Sequence, residues 1–290
     1  MTGPSIRLAT RGSRQALAQA TTIAQAIETA TGAVVELVLI DTTGDQRQDV
    51  PLHTIGGQGV FVKEVQRAVL DGTADIAVHS AKDLPSTPAD GLTIGAFSAR
   101  RDPFDALVGA RLDQLAPGAT VASGSVRRRA QLAQVRPDLR FVELRGNIDT
   151  RLSKIPEGGA IVMAVAALQI LDLTDRIAET LPLEDFVPAV GQGCVAVERR
   201  SDDDRTAALV AQVDDATTRH AVEVERAFLA ELGSGCSLPV GAYAVDRMLH
   251  TFLADPARGR AVRDRVSLDG TPNDLAVAAQ AARSAVAELG

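Results

Sequence analysis

The sequence predicts an α/β protein of two or three domains with largely parallel sheets. The chain has 290 residues, which is more than one domain usually holds. Apolar residues make up 46% of the chain and charged residues 23%, as in soluble globular proteins with a sizeable core. Short β-branched runs alternate with helical patterns across short turns, which is the third observation in favour of this fold class.

The first unit opens with a strand at Ile6–Ala9, followed by a turn. A helix is predicted over Arg14–Thr29 because Ser13 can cap its start and Gly32 can close its end. Val34–Ile40 is apolar and β-branched, which predicts the second strand.

The segment Asp41–Gly59 contains four Gly, three Asp and one Pro without any periodicity. Irregular segments of this length in compact domains are usually functional or mobile. A helix is then predicted over Phe61–Leu70. The buried-type strand Asp75–His79 ends in the polar turn Ser80–Pro85.

A second unit starts near Asp105. Its predicted elements are, in order, the strand Ala119–Ala122, the helix Val126–Val135 capped from Ser123–Ser125, the strand Arg140–Leu144, the strand Ile161–Ala166 and the helix Ala167–Leu171. An extended crossover back to the first unit is predicted over Val187–Glu198. Further along the chain, helices are predicted around Val224–Leu232, and the alanine-rich segment Leu275–Leu289 predicts a last helix.

Composition excludes several function classes. Aromatics are only 3% of the residues and the net charge is −7, so a base-stacking or nonspecific nucleic-acid surface is not expected. Two cysteines, Cys194 and Cys236, make neither a disulfide framework nor a metal site. The start of the chain has no signal-peptide pattern, and apolar runs such as Ala160–Leu168 are shorter than a membrane span. We therefore expect a cytoplasmic protein.

Basic residues are concentrated where ligands bind in α/β proteins. Arg127, Arg128 and Arg129 lie in the first turn of a predicted helix, where the helix dipole disfavours cations, so a compensating anion is expected. The alternative is a solvated basic face. Arg11, Arg145 and Arg151 favour the anion site, because they too lie in or just after turns that follow strands.

Two further side chains could carry chemistry. Asp83 follows a buried strand beside Lys82 and could act as an acid or base or stabilise a cation, although an Asx turn before Pro85 is the alternative. Cys236 lies between Gly235 and Pro239, where irregular backbone leaves a thiol open to a ligand; burial as a small hydrophobe is the alternative. Cys194 and His79 are expected to be structural. These residues predict an anion-binding cleft but do not separate an enzyme from a binding protein.

Seven motifs follow one another along the chain. They are Ala9-Thr10-Arg11-Gly12-Ser13, Gly59-Val60-Phe61-Val62-Lys63-Glu64, Asp75 to Pro85, Ser125-Val126-Arg127-Arg128, Arg145-Gly146-Asn147-Ile148-Asp149-Thr150-Arg151-Leu152, Pro188-Ala189-Val190-Gly191-Gln192-Gly193, and Gly235-Cys236. With these motifs the chain resembles the porphobilinogen deaminase (hydroxymethylbilane synthase) family, and the similarity runs from Ile6 to about Tyr243.

The resemblance implies three domains. The first two are similar to the halves of a type II periplasmic binding protein, with mixed sheets and the active site between them, and the third is a smaller α+β domain with the cysteine loop. The implied boundaries are residues 1–99 plus 195–215, residues 100–194 and residues 216–290.

The resemblance also implies the chemistry. Four porphobilinogen molecules would be condensed head to tail, with loss of ammonia, into the linear tetrapyrrole hydroxymethylbilane of heme biosynthesis, with no metal involved. A dipyrromethane cofactor would be attached to Cys236 through a thioether, and a monomer is implied. Asp83 would be catalytic. The implied cofactor contacts are Lys82, Asp83, Ser125, Arg127 and Arg128; the implied substrate contacts are Arg11, Ser13, Phe61, Arg145 and Arg151.

The chain departs from the family pattern at positions where many members carry basic or hydroxyl side chains. These positions are Thr54, Gln58, Ile170 and Gly124. We expect weaker binding of the later intermediates as a result. Two alternatives stay open, a degenerate member that binds oligopyrroles without turnover and a non-catalytic anion-binding protein.

Overall fold

The computed structural model describes residues 5–42, 62–233 and 239–290. These residues cluster into two compact units. Unit 1 is formed by residues 1–100 and 194–219, and unit 2 by residues 101–193 and 220–290. No helix among the described residues is both long enough and apolar enough to cross a membrane.

The described strands follow one another along the chain as β1 (Ser5–Arg11), β2 (Val34–Ile40), β3 (Ile76–Ser80), β4 (Leu92–Phe97), β5 (Asp105–Val108), β6 (Thr120–Ala122), β7 (Arg140–Val142), β8 (Ala160–Ala164), β9 (Glu179–Thr180), β10 (Val195–Arg200), β11 (Val240–Val245), β12 (Met248–Asp255) and β13 (Arg260–Ser267). The described helices are α1 (Arg14–Thr31), α2 (Lys63–Leu70), α3 (Val126–Val135), α4 (Ile148–Leu152), α5 (Val165–Gln169), α6 (Asp204–Val210), α7 (Ala216–Glu231) and α8 (Asp274–Leu289).

The two large sheets share one arrangement of parallel and antiparallel strands. The sheet of unit 1 has the order β2-β1-β3-β10-β4, and the five-stranded sheet of unit 2 has the order β7-β6-β8-β5-β9. In each sheet three neighbouring strands are parallel, while the fourth, β10 or β5, runs antiparallel to both of its neighbours. Each unit therefore contains one five-stranded sheet with both parallel and antiparallel pairs.

Both faces of the unit 1 sheet are buried, because helices cover each side. Leu8, Ile76 and Val197 pack against α1 on one face. Ala9 and Ala77, which alternate with them along the strands, pack against α2 on the other face. Strands covered on both sides read as continuous apolar runs in the sequence, which is why β3 could be predicted.

The predicted caps of two helices are confirmed. The Ser13 hydroxyl accepts a hydrogen bond from Ala16 N, and α1 closes at Gly32, whose φ of 68° places it in the left-handed region. The Ser125 hydroxyl accepts from Arg128 N at the start of α3, which spans the ten residues that the sequence predicts.

A third, smaller sheet in unit 2 has the antiparallel order β11-β12-β13. Leu249 on β12 packs with Phe228 of α7 and Ala282 of α8 in one core cluster. The α/β class predicted from the sequence is confirmed, as are the mixed sheets and the smaller α+β part that the resemblance implies. The alternation of strands and helices had predicted largely parallel sheets, whereas each large sheet contains a strand antiparallel to its neighbours. The pattern did not predict the three strands β11 to β13.

The boundary of one predicted helix differs from the structure. The described part of the helix predicted over Phe61–Leu70 begins at Lys63, and Phe61 lies outside the described residues.

The strand β4 was not predicted, because Gly95 interrupts its apolar run. A Cβ at that glycine would lie 2.9 Å from a Val210 methyl carbon, so the packing of α6 requires a residue without a side chain there.

Candidate active site

The start of α3 holds two buried arginines. Strand β6 ends at Ala122, the turn to Ser125 follows, and Arg127 and Arg128 fall in the first turn of the helix. Arg127 is 5% exposed and Arg128 is 8% exposed. The solvated basic face considered as an alternative is therefore wrong for these two residues.

A carboxylate of the protein itself lies between the two guanidinium groups. Asp105 Oδ1 accepts from Arg128 Nε at 2.9 Å and from Arg128 Nη2 at 2.7 Å. Its other oxygen, Oδ2, lies 2.8 Å from Arg127 Nη1. Burial on its own would raise the pKa of Asp105, but the two guanidinium groups outweigh it and hold that pKa well below the ordinary value. The anion expected beside the arginines is thus partly supplied by strand β5.

Backbone carbonyls complete the arginine contacts. Arg127 Nη1 also donates to Val187 O at 2.6 Å, and Arg128 Nη1 donates to Val162 O at 3.0 Å. Burial lowers the pKa of Arg127, and Asp105 opposes that effect. Two guanidinium groups against one carboxylate leave one positive charge in excess in a buried place, which favours a further anion.

The turn after β7 lies beside the start of α3, because β6 and β7 are parallel neighbours. A Cβ at Gly124 would lie 2.8 Å from Leu144 O, so the two turns are in direct contact. Arg145 follows, and its buried Nη1 has no hydrogen-bond partner among the residues that the structure describes. Arg151 Nε donates to Gly146 O at 2.7 Å. Unit 2 therefore brings together four of the predicted arginines at one edge of its sheet, and one buried donor among them has no hydrogen-bond partner within the described residues.

Unit 1 carries a second group of predicted residues. Strands β1 and β3 are parallel neighbours, so Arg11, at the end of β1, and the 3₁₀ turn Ala81–Asp83 lie at the same edge of the sheet. Ser13 caps α1 directly after this edge. Lys82 and Asp83 are half-buried within the turn.

The carboxylate of Asp83 makes no hydrogen bond or ion pair to any residue in the described part of the chain. The Asx turn considered as its alternative role is therefore not seen in this structure. Ala81 N donates to Cys194 O at 3.0 Å and ties the turn to the segment before β10. Asp83 is thus held by backbone contacts while its side chain stays available.

His79 is buried inside the sheet of unit 1, as expected of a structural residue. Its Nε2 lies 3.0 Å from Glu198 Oε2, and both carboxylate oxygens of Glu198 also accept from Gln66 Nε2, at 2.9 and 3.0 Å. Cys194 is 2% exposed, which agrees with the core position predicted for it.

Two predicted residues, Cys236 and Phe61, lie outside the described residues, as do Thr54 and Gln58. Within residues 5–42, 62–233 and 239–290, no group of three or more His, Cys, Asp or Glu side chains could hold a metal ion.

Sequence reasoning missed Asp105 and Gln192. Gln192 Nε2 donates to Asp105 Oδ1 at 2.8 Å and to Pro103 O at 2.7 Å. The available signal was an aspartate inside the apolar run Phe104–Val108, since acidic residues are almost never buried without partners.

Two family models match nearly the whole chain. "Porphobilinogen deaminase, dipyromethane cofactor binding domain" matches residues 6–208, and "Porphobilinogen deaminase, C-terminal domain" matches residues 220–285. The chain belongs to the porphobilinogen deaminase family. The second match extends the resemblance beyond Tyr243, where the similarity recognised from the sequence ended.

Curated members of the porphobilinogen deaminase family are similar over most of their length. The porphobilinogen deaminase of Syntrophotalea carbinolica is 47% identical over 250 residues, which cover 84% of this chain and 79% of the relative. That of Acidothermus cellulolyticus is 46% identical over 282 residues, covering 93% and 84%. A probable porphobilinogen deaminase of Methanopyrus kandleri is 43% identical over 284 residues, covering 93% and 94%.

Solved structures that resemble the chain include immunogenic lipoprotein A from Vibrio vulnificus. It is 12% identical, covers 74% of this chain and 96% of its own, and aligns with a TM-score of 0.44. A likeness of this size has no bearing on function.

Proposed function

We propose that this protein is the transferase that condenses four porphobilinogen molecules head to tail, with loss of ammonia, into the linear tetrapyrrole hydroxymethylbilane. Each pyrrole ring of the substrate carries an acetate and a propionate, so the growing chain gains two carboxylates at each step. The observation that supports this reading best is the buried pair Arg127–Arg128, whose excess positive charge is suited to a ligand carboxylate.

The chain's own residues fit the dipyrromethane cofactor of the family. We propose a thioether from Cys236 to the cofactor, with Ser125, Arg127 and Arg128 as partners of its carboxylates in unit 2. The unpartnered Nη1 of Arg145, in the adjacent turn, supports a further carboxylate at this edge. Lys82, in the turn that follows β3, is proposed as a further cofactor contact through its ammonium group.

The substrate contacts are proposed on the same basis. Arg11, Arg145 and Arg151 would bind acetate and propionate groups, because planar guanidinium donors match carboxylate oxygens. The Ser13 hydroxyl oxygen accepts a hydrogen bond from Ala16 N at the start of α1, and its own O–H group would donate to a substrate carboxylate. Phe61 would pack against a ring.

The chemistry breaks one bond and forms another at each step. The C–N bond of the substrate's aminomethyl group breaks and releases ammonia, the methylene carbon bonds to the α-carbon of the neighbouring pyrrole, and the α-hydrogen leaves as a proton. The cofactor would supply the first pyrrole to which a substrate is joined. Positive charge develops on pyrrole nitrogen during this change, and an ionised Asp83 would stabilise that charge and accept the proton. After the fourth condensation, water would cleave the bond between the cofactor and the tetrapyrrole: its hydroxyl group goes to the methylene carbon of the product and its proton to the α-carbon of the cofactor.

Domain boundaries, location and assembly are proposed as well. We propose domains at residues 1–99 plus 195–215, 100–194 and 216–290, in a cytoplasmic monomer that binds neither membrane nor nucleic acid. Size-exclusion chromatography with light scattering tests the monomer, since a mass of about twice 30.3 kDa would contradict it.

Incubation of the purified protein with porphobilinogen tests the function. We expect ammonia release and one linear tetrapyrrole for every four substrate molecules consumed. Binding of porphobilinogen without ammonia release would instead support the degenerate oligopyrrole-binding member, and neither binding nor release would contradict both readings.

A further inference from the structure

We infer that Asp105 and Gln192 are positioning residues of the arginine site, which hold Arg127 and Arg128 in place for the carboxylates of a ligand. The inference rests on the proposed function, because it takes the cofactor's carboxylates to be that ligand. Neither residue was among those that sequence motifs assigned to the site.

Asp105 Oδ1 is saturated by three donors. Arg128 contributes Nε at 2.9 Å and Nη2 at 2.7 Å, and Gln192 contributes Nε2 at 2.8 Å. A carboxylate oxygen with three donors has a fixed orientation, so the other oxygen, Oδ2, is fixed where it meets Arg127 Nη1. One carboxylate therefore sets the positions of both guanidinium groups.

The charge count explains why Asp105 is needed before a ligand arrives. With Asp105 the buried cluster carries one excess positive charge; without it there would be two. An uncompensated buried charge is strongly destabilising, and a second one adds repulsion between neighbours. We therefore expect Asp105 to matter more for the apoprotein than for the loaded protein, in which ligand carboxylates replace part of its charge.

Gln192 is itself held from two sides. Its Nε2 also donates to Pro103 O at 2.7 Å. The residue before it, Gly191, adopts a φ of 68°, and its N donates at 2.8 Å to Oε2 of the buried Glu225 on α7. The other oxygen of Glu225 accepts from Ala244 N at 3.0 Å on β11. Gln192 thus connects the arginine pair, through its neighbour Gly191 and the Glu225 carboxylate, to α7 and β11 of unit 2.

Three variants test the inference, each compared as apoprotein from cells that lack porphobilinogen and after loading with porphobilinogen. Asp105→Asn removes the charge at constant shape, and Gln192→Met removes the donor while leaving every charge in place. The control is Asp138→Asn, because Asp138 is also paired with an arginine, Arg136 at 2.8 Å, but lies on the surface. The readouts are the thermal midpoint of each form and the rate at which the two-pyrrole adduct appears in the intact mass.

We expect Asp105→Asn to lower the midpoint of the apoprotein by roughly 6–15 °C, and that of the loaded protein by clearly less. We expect Gln192→Met to slow adduct formation by roughly three- to tenfold, through a higher half-saturating porphobilinogen concentration, with little change in midpoint. The Asp138→Asn control should match the wild type.

Equal losses of midpoint in both forms, with normal uptake by Gln192→Met, would overturn the inference and leave Asp105 a purely structural residue. A wild-type protein that gains no adduct would contradict the proposed function itself, which keeps the two failures distinct. Gln192→Met tests orientation separately, so the inference remains falsifiable if Asp105→Asn fails to fold.

Discussion

The Asp83 carboxylate is the side chain on which turnover should depend most. It is half-buried in a turn fixed by backbone bonds, and it has no partner within the described residues. We expect Asp83→Asn to lower kcat by about 10²–10³-fold, the loss typical when one preorganised electrostatic group is removed. Circular dichroism and the thermal midpoint should match the wild type.

The matched control for this change is Asp90→Asn, which alters an exposed aspartate a few residues further along the same unit. It should retain full turnover. Near-normal turnover of Asp83→Asn would exclude the catalytic role, whatever the control shows.

Asp105 should also make stability depend on acidity. Its pKa is lowered in the folded protein, so below pH 4 the unfolded chain binds more protons than the native one. The stabilisation of the folded protein by the Asp105 carboxylate is therefore complete above the ordinary carboxyl pKa of about 4. It is lost as the pH falls from there through the lowered pKa of the folded state. In urea unfolding between pH 2 and 6, the wild type should lose stability with acid more steeply than Asp105→Asn; parallel curves would contradict this.

At the residue scale, the sequence located the arginines but not their partner. Arg127 and Arg128 were recognisable because three cations in a first helical turn are locally unfavourable. Asp105 lies more than twenty residues earlier in a strand, and a pairing across that separation follows from the position of β5 in the sheet, which no local pattern specifies.

At the scale of elements, the turn after β7 depends on Gly146. Its φ of 112° is one that other residues rarely adopt, and an added Cβ would lie 2.7 Å from a Thr150 methyl carbon. We expect Gly146→Ala to lower the free energy of unfolding by about 2–4 kcal/mol through strain and overpacking. It should also raise KM, because Arg145 directly precedes this glycine and Arg151 Nε donates to its carbonyl oxygen at 2.7 Å. Urea unfolding and steady-state kinetics measure the two effects.

Gly158→Ala is the control for that change. Gly158 also has a positive φ, of 63°, but nothing lies within 4 Å of its added Cβ. It should cost only about 1–2 kcal/mol and leave KM unchanged. Equal costs for the two variants would mean that the contact with Thr150 does not contribute.

Elements with local signals were predictable and those without were not. Helices α1 and α3 have a serine cap and a helical apolar pattern, so both starts agree with the structure. Strands β11 to β13 pair with one another and pack on α7 and α8, and β13 is dominated by exposed polar residues. Tertiary packing rather than local pattern determines such strands.

At the scale of the molecule, the same arrangement of strand directions occurs twice without any sequence repeat. In each large sheet one strand, β10 or β5, is inserted antiparallel beside the third parallel strand. The sequence indicated alternating strands and helices, but the shared arrangement depends on pairings between segments that are far apart in the sequence. The domain class could thus be predicted, whereas the strand order became known only from the structure.

The proposal of a covalent dipyrromethane cofactor on Cys236 is tested by the intact mass of the purified protein after exposure to porphobilinogen. The wild type and Cys194→Ala, which alters the buried cysteine, should both carry an adduct of two pyrrole units, and Cys236→Ser should carry none. An adduct that persists in Cys236→Ser, or a bare mass in the wild type after incubation with porphobilinogen, would contradict the proposal.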